Sequence, residues 1–172
     1  MDSEKKAEDI VNILSMQEEI LQFEHFTNED ALELGAHMLS EAKRNGYKIA
    51  ICIRRSNGAD VYQAMMDGTT LEHIETIDRR YNTCIRCERS SLAYLMRLRQ
   101  DDEEVSDKYL SESKFACEGG AFPIRIEEAG VIGAIVVAGT NHVKDHDFIV
   151  RSLSKYLHMD EVPRIRKSDV VR

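Results

Sequence analysis

The sequence predicts an α+β fold with antiparallel strand pairing. Two observations carry this. Strand-like stretches come in adjacent pairs joined by tight turns, and amphipathic helical segments stand before, between and after the pairs. Hairpins pair antiparallel, so this order argues against a doubly wound parallel sheet. No G-x-G-x-x-G, Walker, H-E-x-x-H or nucleophile-elbow sequence is present to suggest otherwise.

The elements follow in chain order. Glu4 to Leu21 has Ile10, Ile13, Leu14, Ile20 and Leu21 near helical spacing, with charges between. A second helix starts after Thr27 or Asn28, which can cap it, and Glu29 and Asp30 suit the positive end of its dipole. Asn45-Gly46 ends it, because glycine tolerates the left-handed turn after a helix. In "YKIAICIRR" (47–55) large Ile49, Ile51 and Ile53 alternate with small Ala50 and Cys52, the pattern of a strand covered on both faces. Asn57-Gly58 turns it into "DVYQAMM". One long helix is expected from about Thr70 to Arg99, then a solvated acidic stretch, then a helix over Asp107 to Cys117. Strands at 121–127 and 130–139 form the second hairpin, with Pro123 at a strand start or edge. The last helix spans about Asp145 to Met159, striped with Ile149, Val150, Leu153 and Leu157. The tail 160–172 has no period and either moves freely or docks on a neighbour.

Length fits one domain that can bury a core. A net charge of −8 argues against a general nucleic-acid binder, which needs a basic face. No secretory signal is apparent, and the longest apolar run, Val131 to Ala138, is too short to span a bilayer. A cytoplasmic protein with reduced cysteines and no membrane partner is expected.

"NTCIRCERSSL" (82–92) carries a C-x-x-C. Structural zinc needs four ligands. Cys52 and Cys117 stand apart from this pair, and a thioredoxin-type motif opens a helix, whereas this one lies within one. No metal site is expected, and Cys84 reads as a small buried hydrophobe beside Ile77, Tyr81, Leu92 and Leu95. Glu88 interrupts that apolar face, which suggests a helix end or a subunit contact. Residues 78–99 hold six arginines against Asp78 and Glu88, a local charge of +4 in a chain of −8. Two readings stay open: arginines paired with acidic neighbours, or a lining that grips an anionic ligand. Arg79 and Arg80 point about 100° apart on a helix, so both cannot face one ligand. Gly119-Gly120 suits a positive-φ turn or close backbone approach to a ligand.

Several stretches, "AICIRRSNGADVYQAMMDGTT", "IDRRYNTCIRCERSSL", "GGAFPIRI" and "GVIGAIVVAGTNHVKDHDFIVRSL", resemble the UPF0303 family of the GlcG/HbpS-like superfamily of haem-degrading and haem-binding proteins. The resemblance covers Phe23 to Leu157. It implies a profilin-like domain at 23–159 with a central antiparallel sheet flanked by helices, a helical extension at 1–22 and a tail at 160–172. It also implies homo-oligomers. The family pattern matches Arg79, Arg80, Asn82, Arg89, Ser90 and Ser91, the glycines Gly119 and Gly120, and the pair Asp145-His146. Where the family has a bulky aromatic before the arginine pair, this chain has Ile77-Asp78. Haem is the cofactor the resemblance brings into view, but no axial-ligand motif carries over. Arg79, Arg80, Asn82, Arg89, Ser90, Ser91, Gly119, Gly120 and His146 are therefore expected to border a pocket for an anionic small molecule. The function expected is a small-molecule or cofactor-binding domain. The alternatives are an enzyme acting on haem or another organic molecule, with catalytic residues unassigned, and an oligomeric adaptor for a protein partner.

Overall fold

The computed structural model describes residues 2–170. Met1, Val171 and Arg172, at the outer ends of the predicted extension and tail, lie outside the described residues. Among the described residues five α-helices surround a four-stranded antiparallel sheet. Helix α1 (Asp2–Ile20) and helix α2 (Asn28–Arg44) precede the hairpin β1 (Ala50–Arg55) and β2 (Asp60–Met65). Helices α3 (Leu71–Cys87) and α4 (Ser91–Gln100) follow, then the hairpin β3 (Ala121–Ile126) and β4 (Gly130–Ala138), and helix α5 (His142–Tyr156). The strand order is β2-β1-β4-β3, so the two hairpins join along β1 and β4.

The alternation in β1 sorts the two layers. Ile51 and Ile53, with Ile135, Val137, Phe122 and Ile124, face α2 and α5 through Leu34, Met38, Ile149 and Leu153. Ala50 and Cys52, with Ala121, Ala134, Val136 and Ala138, face Ile77, Tyr81 and Cys84 of α3. Small residues on that side let α3 lie close to the sheet. Thr27 caps α2 in a capping box with Asp30.

The predicted long helix is two. Glu88 adopts a left-handed conformation (φ 51°) that ends α3, and Ser90 caps α4 by accepting from Ala93 N at 3.2 Å. The break redirects the apolar face. Ile77, Tyr81 and Cys84 meet the sheet, whereas Leu92, Ala93 and Met96 meet Ile10 and Leu14 of α1. Glu88 is thus exposed at a helix end, and α1 buries its apolar stripe inside its own chain. The helix expected over 107–117 is absent. A short 3-10 turn, Val105–Lys108, is followed by chain laced to α3: Asn82 Nδ2 donates to Lys114 O at 2.9 Å, and Ala116 N donates to Arg79 O at 3.2 Å. Helix α5 begins three residues earlier than expected because Asn141 caps it, accepting from Val143 N at 3.0 Å. The tail docks on its own chain. Ile165 is buried, and Arg164 grips Asp147 of α5. Among the described residues no helix is long and apolar enough to cross a membrane.

Candidate functional site

Arg80 is the organising residue. Helix α3 turns Arg79 sideways, against Thr76, and Arg80 inward, where only 5% of it is exposed. Its Nη1 donates to Val137 O at 2.6 Å and to Asp145 Oδ2 at 2.8 Å. Nε and Nη2 both donate to Glu118 Oε1, at 3.1 and 2.9 Å. Asp145 is fully buried, and its other oxygen accepts from Thr140 N at 3.0 Å and Thr140 Oγ1 at 2.6 Å. One cation therefore ties α3, β4, α5 and the loop before β3 together. Gly120 makes room for it: a Cβ there would run into Arg80 Nη1 and stand 2.6 Å from Val137 O, and its φ of +127° disfavours any side chain. Glycine thus serves close approach, with Arg80 in the place of a ligand.

The other expected residues serve the frame. Ser90 caps α4, and its N–H donates to Glu18 Oε1 at 2.5 Å. Burial raises the Glu18 carboxyl above its ordinary range. Ser91 Oγ accepts from Ala121 N at 3.0 Å and joins α4 to β3. Gly119 is buried against His142. Arg89 is half-buried in the α3–α4 turn. His146 is 1% exposed beneath α1, its Nε2 bonded to Gln17 Oε1 at 2.7 Å, while Gln17 Nε2 donates to Pro163 O at 2.8 Å. Burial holds the His146 ring down at about 4.

Two grooves meet at Glu118. One, of about 280 Å³, is lined by Glu72, His73, Thr76, Arg80, Glu118 and Thr140, among others. The other, of about 550 Å³, lies between α4, the start of α5 and the tail. Its walls include Leu95, Val143 and Val170 on the apolar side, and Arg99, His142 and Lys167 on the polar side. Of the nine residues singled out in the sequence, only Arg80 lines either groove. Glu118, His142, Arg99 and Lys167 carried no local signal. They come from four separated segments: α4, the loop before β3, α5 and the tail.

Haem is the group to test against these residues. Among the described residues lining the two grooves, the histidines are His73 and His142. Thr70 N donates to His73 Nδ1 at 3.0 Å, and Gly119 N donates to His142 Nδ1 at 3.0 Å. Each ring therefore carries its proton on Nε2, the nitrogen that would have to ligate iron. As arranged, these residues do not fit axial ligation. The thiol of Cys117, in the larger groove, is pushed up to about 11 by burial and by the charges of Cys87 and Glu118. All four cysteines are free thiols, with Cys52 and Cys84 buried.

Comparison with known proteins agrees with the sheet and its helices. The chain is 34% identical over 151 residues to a UPF0303 protein of Paraburkholderia phytofirmans, covering 87% of this chain and 91% of that one. Its fold is similar to the crystal structure of the Ybr137w protein, with a TM-score of 0.80 at 24% identity, covering 86% of this chain and 87% of that one. It is also similar in fold to a PduOC:heme complex, with a TM-score of 0.63 at 15% identity, covering 75% of this chain and 93% of that one. The sequence pattern of the family described as haem degrading protein HbpS-like matches residues 26–154. On the strength of that match and of the UPF0303 relatives, the chain belongs to the HbpS-like haem-degrading family.

Proposed function

We propose that this protein is a binding domain for a small amphipathic organic anion, held in the groove between α4, α5 and the tail. The observation that carries the reading is the composition of that groove: Arg99, Lys167 and the Nε2–H of His142 stand beside Leu95, Val143 and Val170 in about 550 Å³. That size suits an organic molecule. Donors on one side and alkyl groups on the other suit one with carboxylates and an apolar body. Membership of a haem-degrading family supports the same class, because haem is itself an amphipathic carboxylate. In this reading the domain at 23–159 supplies Leu95, Arg99, His142 and Val143, and the tail completes the groove with Lys167 and Val170. The experiment is a thermal-shift screen with carboxylates, phosphates and porphyrins on wild type and on Arg99→Ala/Lys167→Ala. Stabilisation of wild type that the variant lacks supports the reading. No stabilisation by any of them sinks it.

A second feature supports a homo-oligomer. Strand β2 is a sheet edge, and Met65 on it and Leu71 just after it are exposed. Pairing or covering this edge would bury Met65. Light scattering that returns the mass of a single 19.7 kDa chain at micromolar concentration would reject this. A cytoplasmic location, which would keep the four cysteines reduced, completes the proposal.

A further inference from the structure

A histidine that holds a metal presents a free lone pair on one ring nitrogen and donates the N–H of the other to a carbonyl, carboxylate or water. Both histidines that line the grooves have the opposite polarity. Their Nδ1 atoms accept backbone N–H groups, from Thr70 in one case and Gly119 in the other. The nitrogen left for the groove is a donor. Making either ring a ligand would move its proton to Nδ1 and strand a backbone donor. In the case of Gly119 that donor belongs to a buried residue, and an unpaired buried donor costs about 1–3 kcal/mol.

The remaining histidines supply no substitute. His146 has the polarity of a ligand, with its Nε2 bonded to the Gln17 carbonyl oxygen and its Nδ1 unpartnered, but it is sealed beneath α1. His25 pairs with Asp30, His37 lies against Tyr156, and His158 is exposed beyond the end of α5. Cys117 shares its groove with Glu118, whose charge opposes a thiolate. Beside the Glu118 carboxylate, which is paired with Arg80, the larger groove presents three donors suited to oxyanions, Arg99, Lys167 and His142 Nε2–H.

We infer that the groove recognises the carboxylates and the apolar body of its ligand and forms no bond to a metal, so that a porphyrin with iron and the same macrocycle without it are equivalent ligands. This rests on the groove reading above. It separates this chain from any relative that grips haem through iron.

The test titrates the full chain with haemin, metal-free protoporphyrin IX and zinc protoporphyrin IX, by absorption and fluorescence. The three dissociation constants should agree within about threefold. Haemin should show no nitrogen- or thiolate-ligated low-spin spectrum. Arg99→Ala/Lys167→Ala, at two exposed positions, should weaken all three by about tenfold or more. His142→Ala should leave the ratio of haemin to protoporphyrin affinity unchanged. Haemin binding more than about tenfold tighter than protoporphyrin, with a ligated spectrum lost in His73→Ala, His142→Ala, His146→Ala or Cys117→Ala, would overturn the inference and leave the groove standing. Failure of all three macrocycles to bind would overturn the inference, and the groove reading would fall with it only if the carboxylates and phosphates of the thermal-shift screen also fail to stabilise the chain.

Discussion

Replacing Arg80 by alanine removes the cation that pairs with Asp145 in the interior. Asp145 has no exposed surface, and Arg80 only 5%. Without the guanidinium, Asp145 keeps its two bonds from Thr140, but its second oxygen and the Val137 carbonyl lose their donor. Glu118 is more exposed and can turn to water. Breaking a buried pair by removing one partner costs about 3–5 kcal/mol. In a domain of this size each kcal/mol lowers Tm by about 2–4 °C, so a fall of roughly 10 °C is expected. Denaturant unfolding of wild type, Arg80→Ala, Asp145→Asn and the double variant measures the stability loss and the coupling. The double variant should cost less than the sum of the singles, because the second change removes the charge that the first strands. Arg97→Ala, at an exposed position on α4, serves as the control and should cost under about 0.5 kcal/mol. If Arg80→Ala costs no more than that control, the pair is not structural and the reasoning fails.

Stability should fall as pH drops from about 6.5 toward about 4, because burial holds the His146 ring at about 4 while the unfolded chain takes up the proton first. The loss attributable to His146 is about 3 kcal/mol. Glu18, raised by burial, acts in the opposite sense, stabilising at low pH and less so as pH rises. His146→Gln should therefore flatten the slope measured by urea unfolding across this window, and an unchanged slope would contradict the assignment. Gly120→Ala should destabilise by about 3 kcal/mol or more through positive φ and collision with Arg80. Gly58→Ala, also at positive φ but with open space around it, should cost only about 1 kcal/mol; equal melting temperatures for the two variants would refute the packing argument. In thiol titration Cys87 and Cys117, both half-buried, should react before Cys52 and Cys84, which should wait for denaturant. A native Cys84–Cys87 disulfide or stoichiometric zinc would be incompatible with this structure.

Local chemistry made much of the fold readable. Thr27 with Asp30, Asn57-Gly58, and the large-small alternation of β1 act over a few residues, and each appears in the structure as the sequence implies. Near-continuous apolar spacing across 77–95 predicts one long helix, and only the Glu88 interruption points to the helix end that the structure shows there. A left-handed glutamate leaves no glycine to mark the turn. The segment 107–117 does not form the expected helix because its conformation is set by bonds to α3. The charge of the arginine-rich stretch was plain, but its resolution was not. Arg80 finds Glu118 and Asp145 at separations of 38 and 65 residues, through contacts that only the assembled sheet creates. The larger groove lies further from view, because it gathers α4, α5 and a tail with no period of its own.

Gln17 uses both ends of its amide at once, one on the His146 ring and one on the carbonyl of Pro163. The first and last segments of the chain, both outside the stretch matched by the family pattern, thereby share a single side chain. A truncation that removes the tail strips the amide nitrogen of its acceptor. A truncation that removes α1 uncovers a neutral imidazole. Either end trimmed alone should loosen the other, so a shortened version of this protein that keeps one terminal segment and discards its counterpart should be less stable than one that keeps both.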